Sequence, residues 1–250
     1  MVKTVALGFV LATFAHAQAP TGKAAAPVDL TGYYVSIITE DWRWRMITPA
    51  KSDYASIPVN AAAVKIGDAW DPAKDEAAGD QCKAYGAPAL MRIPGRIHIT
   101  WADDNTLKID ADAGTQTRLL HFNSPPRGDT PASLQGYSAA RWEPGGRPLS
   151  TLNNGGAPGQ LSPTGGGRSL EVVTTNLRPG YLRKNGIPYS ANTRESEYFD
   201  LHKEPDNTEW ITITTVIEDP VYLRTNWVTS TDFRRQPNAA NWNPTPCSAR

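Results

Sequence analysis

The most constraining stretch of this chain runs from Arg96 to Phe122, where apolar and polar residues alternate and only tight turns interrupt them. Ile97, Ile99 and Trp101 oppose Arg96, His98 and Thr100, and Leu107 and Ile109 then alternate with Thr106, Lys108 and Asp110. Successive β-carbons point to opposite faces of a strand, so this period gives each strand one buried and one wet face. Asp103-Asp104-Asn105 and Ala113-Gly114 are turn sequences, and Thr115 to Phe122 makes a third strand. A meander of short antiparallel hairpins must bury its apolar face by closing on itself or by packing on a second sheet.

More segments of the same kind follow. Ser138–Glu143, Leu170–Leu177, Glu195–His202 and Trp210–Glu218 read as strands, with Asp206-Asn207 turning between the last two. Gly32 to Met46 also reads as a strand, with Trp42, Trp44 and Met46 on one face and Arg43 and Arg45 on the other. Helix is expected only near residues 60–78: Asn60 can cap a first segment that Pro72 ends, and a second runs from Pro72 to Ala78. The expected fold is mainly β, an antiparallel, lipocalin-like barrel of roughly eight strands.

The first residues set the expected compartment. A short basic start, an apolar run from Val5 to Ala15 and Ala15-His16-Ala17 make a signal peptide over 1–17. The apolar run is too short to span a bilayer, and no other segment reaches that length. Residues 18–28 form an Ala/Pro leader expected to be mobile, and 29–250 a single barrel domain. Residues 144–168, nearly all Gly, Pro, Ser, Asn and Thr, read as one long loop. In an oxidising, periplasmic or secreted setting the only two cysteines, Cys82 and Cys247, are expected to pair; two separate thiols are the alternative. With 25 basic and 25 acidic residues the chain has no net charge, which argues against nucleic acid as a partner.

Gly32-Tyr33-Tyr34, the run Glu40-Asp41-Trp42-Arg43-Trp44-Arg45-Met46, Gln116-Thr117-Arg118, Gly136 to Glu143, Thr174-Thr175-Asn176 and Glu218-Asp219-Pro220 stand together along the chain. In these motifs the sequence resembles a dispersed group of bacterial proteins predicted to be exported. The group commonly reads Gly-x-Ser-x-Gly-x-Trp-Glu followed by Gly-Asp and a strand. Here Ala140 replaces the second glycine and the 144–168 segment interrupts the join. The resemblance implies export and a continuous fold, and it supplies no reaction.

Several constellations could carry chemistry. Gly136-Tyr137-Ser138-Ala139-Ala140 is similar to a nucleophile elbow, but Pro144 forbids the helix that motif needs, so the start of a strand is the simpler reading. His98, His121 and His202, even with Glu197 or Asp200, lack any metal-ligand spacing, and Gly165-Gly166-Gly167 lacks the Lys-Ser or Lys-Thr of a phosphate loop. Neither a metal nor a cofactor is therefore expected. The basic, aromatic segment Asn176–Ser190 carries Arg178, Tyr181, Arg183 and Lys184, which suit an anionic or aromatic ligand at a barrel mouth. Arg118 facing Glu197 inside a barrel would be a structural ion pair or an acid–base pair.

The leading expectation is a small-molecule binding protein with an apolar cavity lined by Trp42, Trp101 and Trp142. Arg118 would lie inside it, with Arg178, Tyr181, Arg183 and Lys184 at its mouth. The first alternative is a cofactor-free lyase, isomerase or hydrolase using His98, His121, Tyr189 or Glu197 as acid or base. The second is an envelope protein that works through exposed tryptophans. Oligomeric state is left open.

Overall fold

The structure is a computed structural model that describes residues 19–125, 130–143 and 169–250. The expected signal peptide at 1–17 and the Gly/Pro-rich segment at 144–168 lie outside the described residues. The described residues form eleven strands: β1 (Gly32–Ile37), β2 (Arg96–Asp103), β3 (Thr106–Ala111), β4 (Gln116–His121), β5 (Tyr137–Trp142), β6 (Ser169–Thr175), β7 (Gly180–Arg183), β8 (Ile187–Tyr189), β9 (Arg194–Lys203), β10 (Glu209–Glu218) and β11 (Trp227–Gln236). They also form four short α-helices, α1 (Trp42–Arg45), α2 (Ala61–Ala69), α3 (Pro72–Ala77) and α4 (Ala87–Leu90), and one 3-10 turn at Lys83–Tyr85. Asn60 caps α2 through the amides of Ala62 and Ala63, and Asp71 caps α3 with Pro72 in the first turn.

The expected barrel is what the chain forms. Nine strands close in the order β1-β11-β10-β9-β6-β5-β4-β3-β2, and β7–β8 make a separate hairpin. A ring with an odd number of strands cannot alternate in direction all the way round, so one neighbouring pair must be parallel. That pair is β4–β5, joined only at Leu120↔Ser138 and His121↔Ala139; the other barrel pairings are antiparallel.

One expected strand is different. β1 ends at Ile37, and Trp42–Arg45 is a single helical turn rather than extended chain. Asp41 takes the left-handed conformation (φ 51°) just before it, and the Met46 amide closes the turn on the Trp42 carbonyl at 2.9 Å. The turn exposes Trp42 and buries Arg45, which undoes the alternation read from the sequence. Gly136 sits in a turn at φ 60°, where a β-carbon would press on the Thr175 carbonyl. That accounts for the glycine without a nucleophile elbow.

The interior has three layers, which the β9–β10 register displays in order. Phe199 pairs with Ile213 in the main apolar core, Glu197 with Thr215 in a polar layer, and Glu195 with Ile217 where a second apolar core begins. The main core fills the barrel with Tyr34, Ile99, Ile109, Leu120, Leu170 and Phe199, each essentially inaccessible. The second core belongs to a cap over one end, built from α2, α4 and the β7–β8 hairpin through Ala63, Ala87, Leu182, Ile187 and Tyr189. At the opposite end Phe122 lies between Trp101 and Trp142, and the leader folds over them: Trp142 Nε1 donates to the Gly22 carbonyl at 2.7 Å. Gly22 and Lys23 are tied in turn to Asn105 and Asp104. Cys82, in the cap, is disulfide-bonded to Cys247 in the C-terminal tail. No described helix is long and apolar enough to cross a membrane.

Candidate anion-binding site

The α1 turn, the segment after α4 and the end of β7 converge in the cap around a small cavity of about 60 Å³. Trp44, Arg45, Ile47, Arg92, Arg183 and Lys184 line it. Arg45 is only 8% exposed, and its Nε donates to the Arg92 carbonyl at 3.0 Å. Its Nη1 and Nη2 are buried without a hydrogen-bond partner among the described residues. Arg92 is neutralised by two carboxylates, Glu40 at 2.8 Å and Asp41 at 2.6 Å. Arg183 lies 5.6 Å from the Trp44 ring and donates to the Ala55 carbonyl and the Ser56 hydroxyl, both neutral acceptors. Trp44 is held in turn by its indole N–H on Asp53 at 3.1 Å. Lys184 reaches Ser248 of the tail at 3.1 Å.

The electrostatics follow from this pairing. Among the described residues neither Arg45 nor Arg183 forms a salt bridge. Burial, and then the positive charge of Arg92, lower both guanidinium groups to about 10. Both therefore keep their charge at neutral pH while lacking a counter-ion. An anion in the cavity would supply one.

Arg183 and Lys184 of the basic segment thus reach this cavity, while the other proposed ligand residues go elsewhere. Arg178 is half-exposed, 3.5 Å from Asp80. The Tyr181 hydroxyl donates to Asp75, which also accepts from the Trp70 indole and Lys83; burial and that bond raise the Tyr181 hydroxyl's pKa. Trp101 and Trp142 lie at the far end of the barrel, and Trp42 is 66% exposed. The structure therefore does not bring the three tryptophans together. His98 stacks on Tyr33 and His121 on Tyr137, on the outward faces of β2 and β4. Burial lowers the pKa of both imidazoles. Tyr189 is fully buried in the cap core, its hydroxyl unpartnered. The sequence reading missed Trp44, Arg45 and Arg92 as a group. The usable signal was Arg92 itself, a lone cation inside the apolar run Ala84–Pro94.

Arg118 and Glu197 meet in the polar layer as the sequence suggested, in a two-pronged pair: Nη1 to Oε1 at 2.9 Å and Nη2 to Oε2 at 2.5 Å. Thr174 accepts from Nη2 at 3.2 Å and shares a hydrogen bond with Ser138. Glu195 stands 3.6 Å from the same guanidinium with one oxygen unpartnered. One cation faces two buried carboxyls. Burial, and then the charge of Glu197, push the Glu195 carboxyl well above the usual range, against the pull of Arg118. Glu195 therefore holds its proton in the folded state at pH values where the unfolded chain has lost it.

A raised carboxyl contributes stability that is full below its ordinary value of 4.5 and is lost as pH rises toward the folded value. Glu195→Gln, which cannot ionise, is expected to gain on the wild type with rising pH by up to about 1.4 kcal/mol per pH unit. Urea unfolding of both proteins between about pH 5 and pH 7 measures this. A difference that stays constant with pH would mean that Glu195 holds no extra proton.

No family model, no curated protein sequence and no solved structure matches this chain significantly.

Proposed function

We propose that this protein is an exported small-molecule binding protein whose ligand carries an anionic group, held in the cap by Arg45, Arg183 and Lys184 rather than in the barrel lumen. The observation that carries the reading is Arg45. A buried charged donor without a partner costs about 1–3 kcal/mol or more, and a sequence keeps such a group where a ligand completes it. The resemblance of the motifs to exported bacterial proteins and the Cys82–Cys247 bond support the compartment. Less supports the cofactor-free enzyme. His98 and His121 lie on outer strand faces, while Tyr189 and Glu197 occupy two different buried layers, so the four do not converge.

Calorimetric titration with inorganic phosphate and with acetate tests the reading. Hydrogen bonds to a charged group contribute about 1.5–3 kcal/mol, so Arg45→Met is expected to weaken anion binding roughly ten- to hundredfold. Arg43→Met, two residues away, exposed and outside the cavity lining, should leave it unchanged. Equal affinity in Arg45→Met and wild type, or no binding of either anion by the wild type, would remove this function from the cavity.

A further inference from the structure

The cavity beside Arg45 holds about 60 Å³, room for an ionised headgroup and little more. Whatever carries that group must keep the rest of its bulk outside, over the rim. The rim is apolar and exposed. Ile47 lines the opening and is 68% exposed, and Met46 and Trp42, within the same short stretch of chain, are 60% and 66% exposed. Among the described residues seven large hydrophobic side chains are exposed, four of them to 60% or more, and three of those four fall in this one stretch, beside the cation-lined opening. Surface hydrophobics that stand singly need no explanation, whereas a group of them beside an opening marks an interaction surface. Arg43, exposed in the same turn, adds a cation that lies 5.6 Å from the Trp44 ring.

Cations that bind an anionic head, next to an exposed Trp with two aliphatic neighbours, match the surface of an anionic bilayer. Tryptophan favours the headgroup level, and aliphatic side chains enter the acyl boundary below it. Resting on the reading of the Arg45 cavity as an anion site, we infer that its ligand is the phosphate headgroup of an anionic phospholipid in a bilayer, with Trp42, Met46 and Ile47 entering the membrane interface. The protein then docks on a membrane surface through its cap and needs no spanning segment.

The test uses sedimentation with vesicles of phosphatidylglycerol mixed with phosphatidylcholine, vesicles of phosphatidylcholine alone, and calorimetry with soluble glycerol phosphate. Wild type is expected to partition onto the anionic vesicles at least about tenfold better than onto the neutral ones, and to bind glycerol phosphate. The double variant Trp42→Ser/Met46→Ser, altered only at exposed positions, should lose about tenfold in vesicle partitioning and keep its glycerol phosphate affinity. Arg45→Met should lose both. Glycerol phosphate binding without a preference for anionic vesicles would overturn the membrane inference and leave the anion site standing. Vesicle binding untouched by the double variant would also overturn it, since charge alone would then explain the attraction. Failure of wild type to bind either the vesicles or glycerol phosphate would remove both readings.

Discussion

Arg118→Met is expected to destabilise the protein by roughly 3–5 kcal/mol. The side chain is fully buried and meets Glu197 through two parallel hydrogen bonds, with Thr174 as a third acceptor. Removing it strands the Glu197 carboxylate in the barrel without a counter-charge. Urea unfolding at constant slope measures the loss. Arg118→Lys should recover only part of it, because one ammonium cannot reproduce the fork. The double variant Arg118→Met/Glu197→Gln should recover most of it, since no buried charge then remains unpaired. Full stability in Arg118→Met would show that the two side chains are not paired. A double variant no better than Arg118→Met would show that the layer's polarity, rather than its charge balance, holds the barrel closed.

That layer also explains what the sequence could and could not reveal. The period-two pattern between Arg96 and Phe122 was readable because its inward positions are aliphatic; Ile97, Ile99, Leu107 and Ile109 are all buried. β11, the strand that closes the barrel between β1 and β10, gave no such signal. Its inward positions run Trp227, Thr229, Thr231 and Phe233, so where it crosses the polar layer the alternation is threonine against other polar residues. The Trp-Arg-Trp-Arg motif failed for another reason. Four residues are too few to separate a strand from one helical turn. The choice was made by partners outside the turn: Asp53, nine residues on, for the Trp44 indole, and the Arg92 carbonyl, 47 residues on, for Arg45. Reading the motif as a strand put Arg45 on the face opposite Trp44 and hid the cavity. Arg183 and Lys184 were found because they sit in a visibly basic segment, whereas buried cations such as Arg45 and Arg92 declare themselves only when the fold surrounds them.

Breaking the Cys82–Cys247 bond should have an effect of the same order as losing Arg118. The bond spans 165 residues, and closing so long a loop restricts the unfolded chain by about 5 kcal/mol in the chain-entropy model. For a protein of this size that corresponds to a fall in Tm of roughly 10–20 °C in Cys82→Ala/Cys247→Ala or under reductant. The loss should not be spread evenly. Cys82 lies in the cap, whereas the tail that holds Cys247 is fixed to the β3–β4 turn, with the Thr245 amide on the Asp112 carbonyl and the Thr115 hydroxyl on the Thr245 carbonyl, both at 2.9 Å. The disulfide is thus a strap from the cap to the barrel, and Lys184 reaches the same tail at Ser248. Hydrogen exchange should therefore show protection falling first in α4 and β7–β8, with β9, β10 and β11 following only at global unfolding. Anion affinity at the Arg45 cavity should drop with it, since Arg183 and Lys184 are carried on the loosened β7 end. An unchanged Tm with both thiols demonstrably free would show that the tail contacts alone fix the cap. A uniform loss of protection would show that cap and barrel unfold as one unit, and that the strap stabilises only by restricting the unfolded chain.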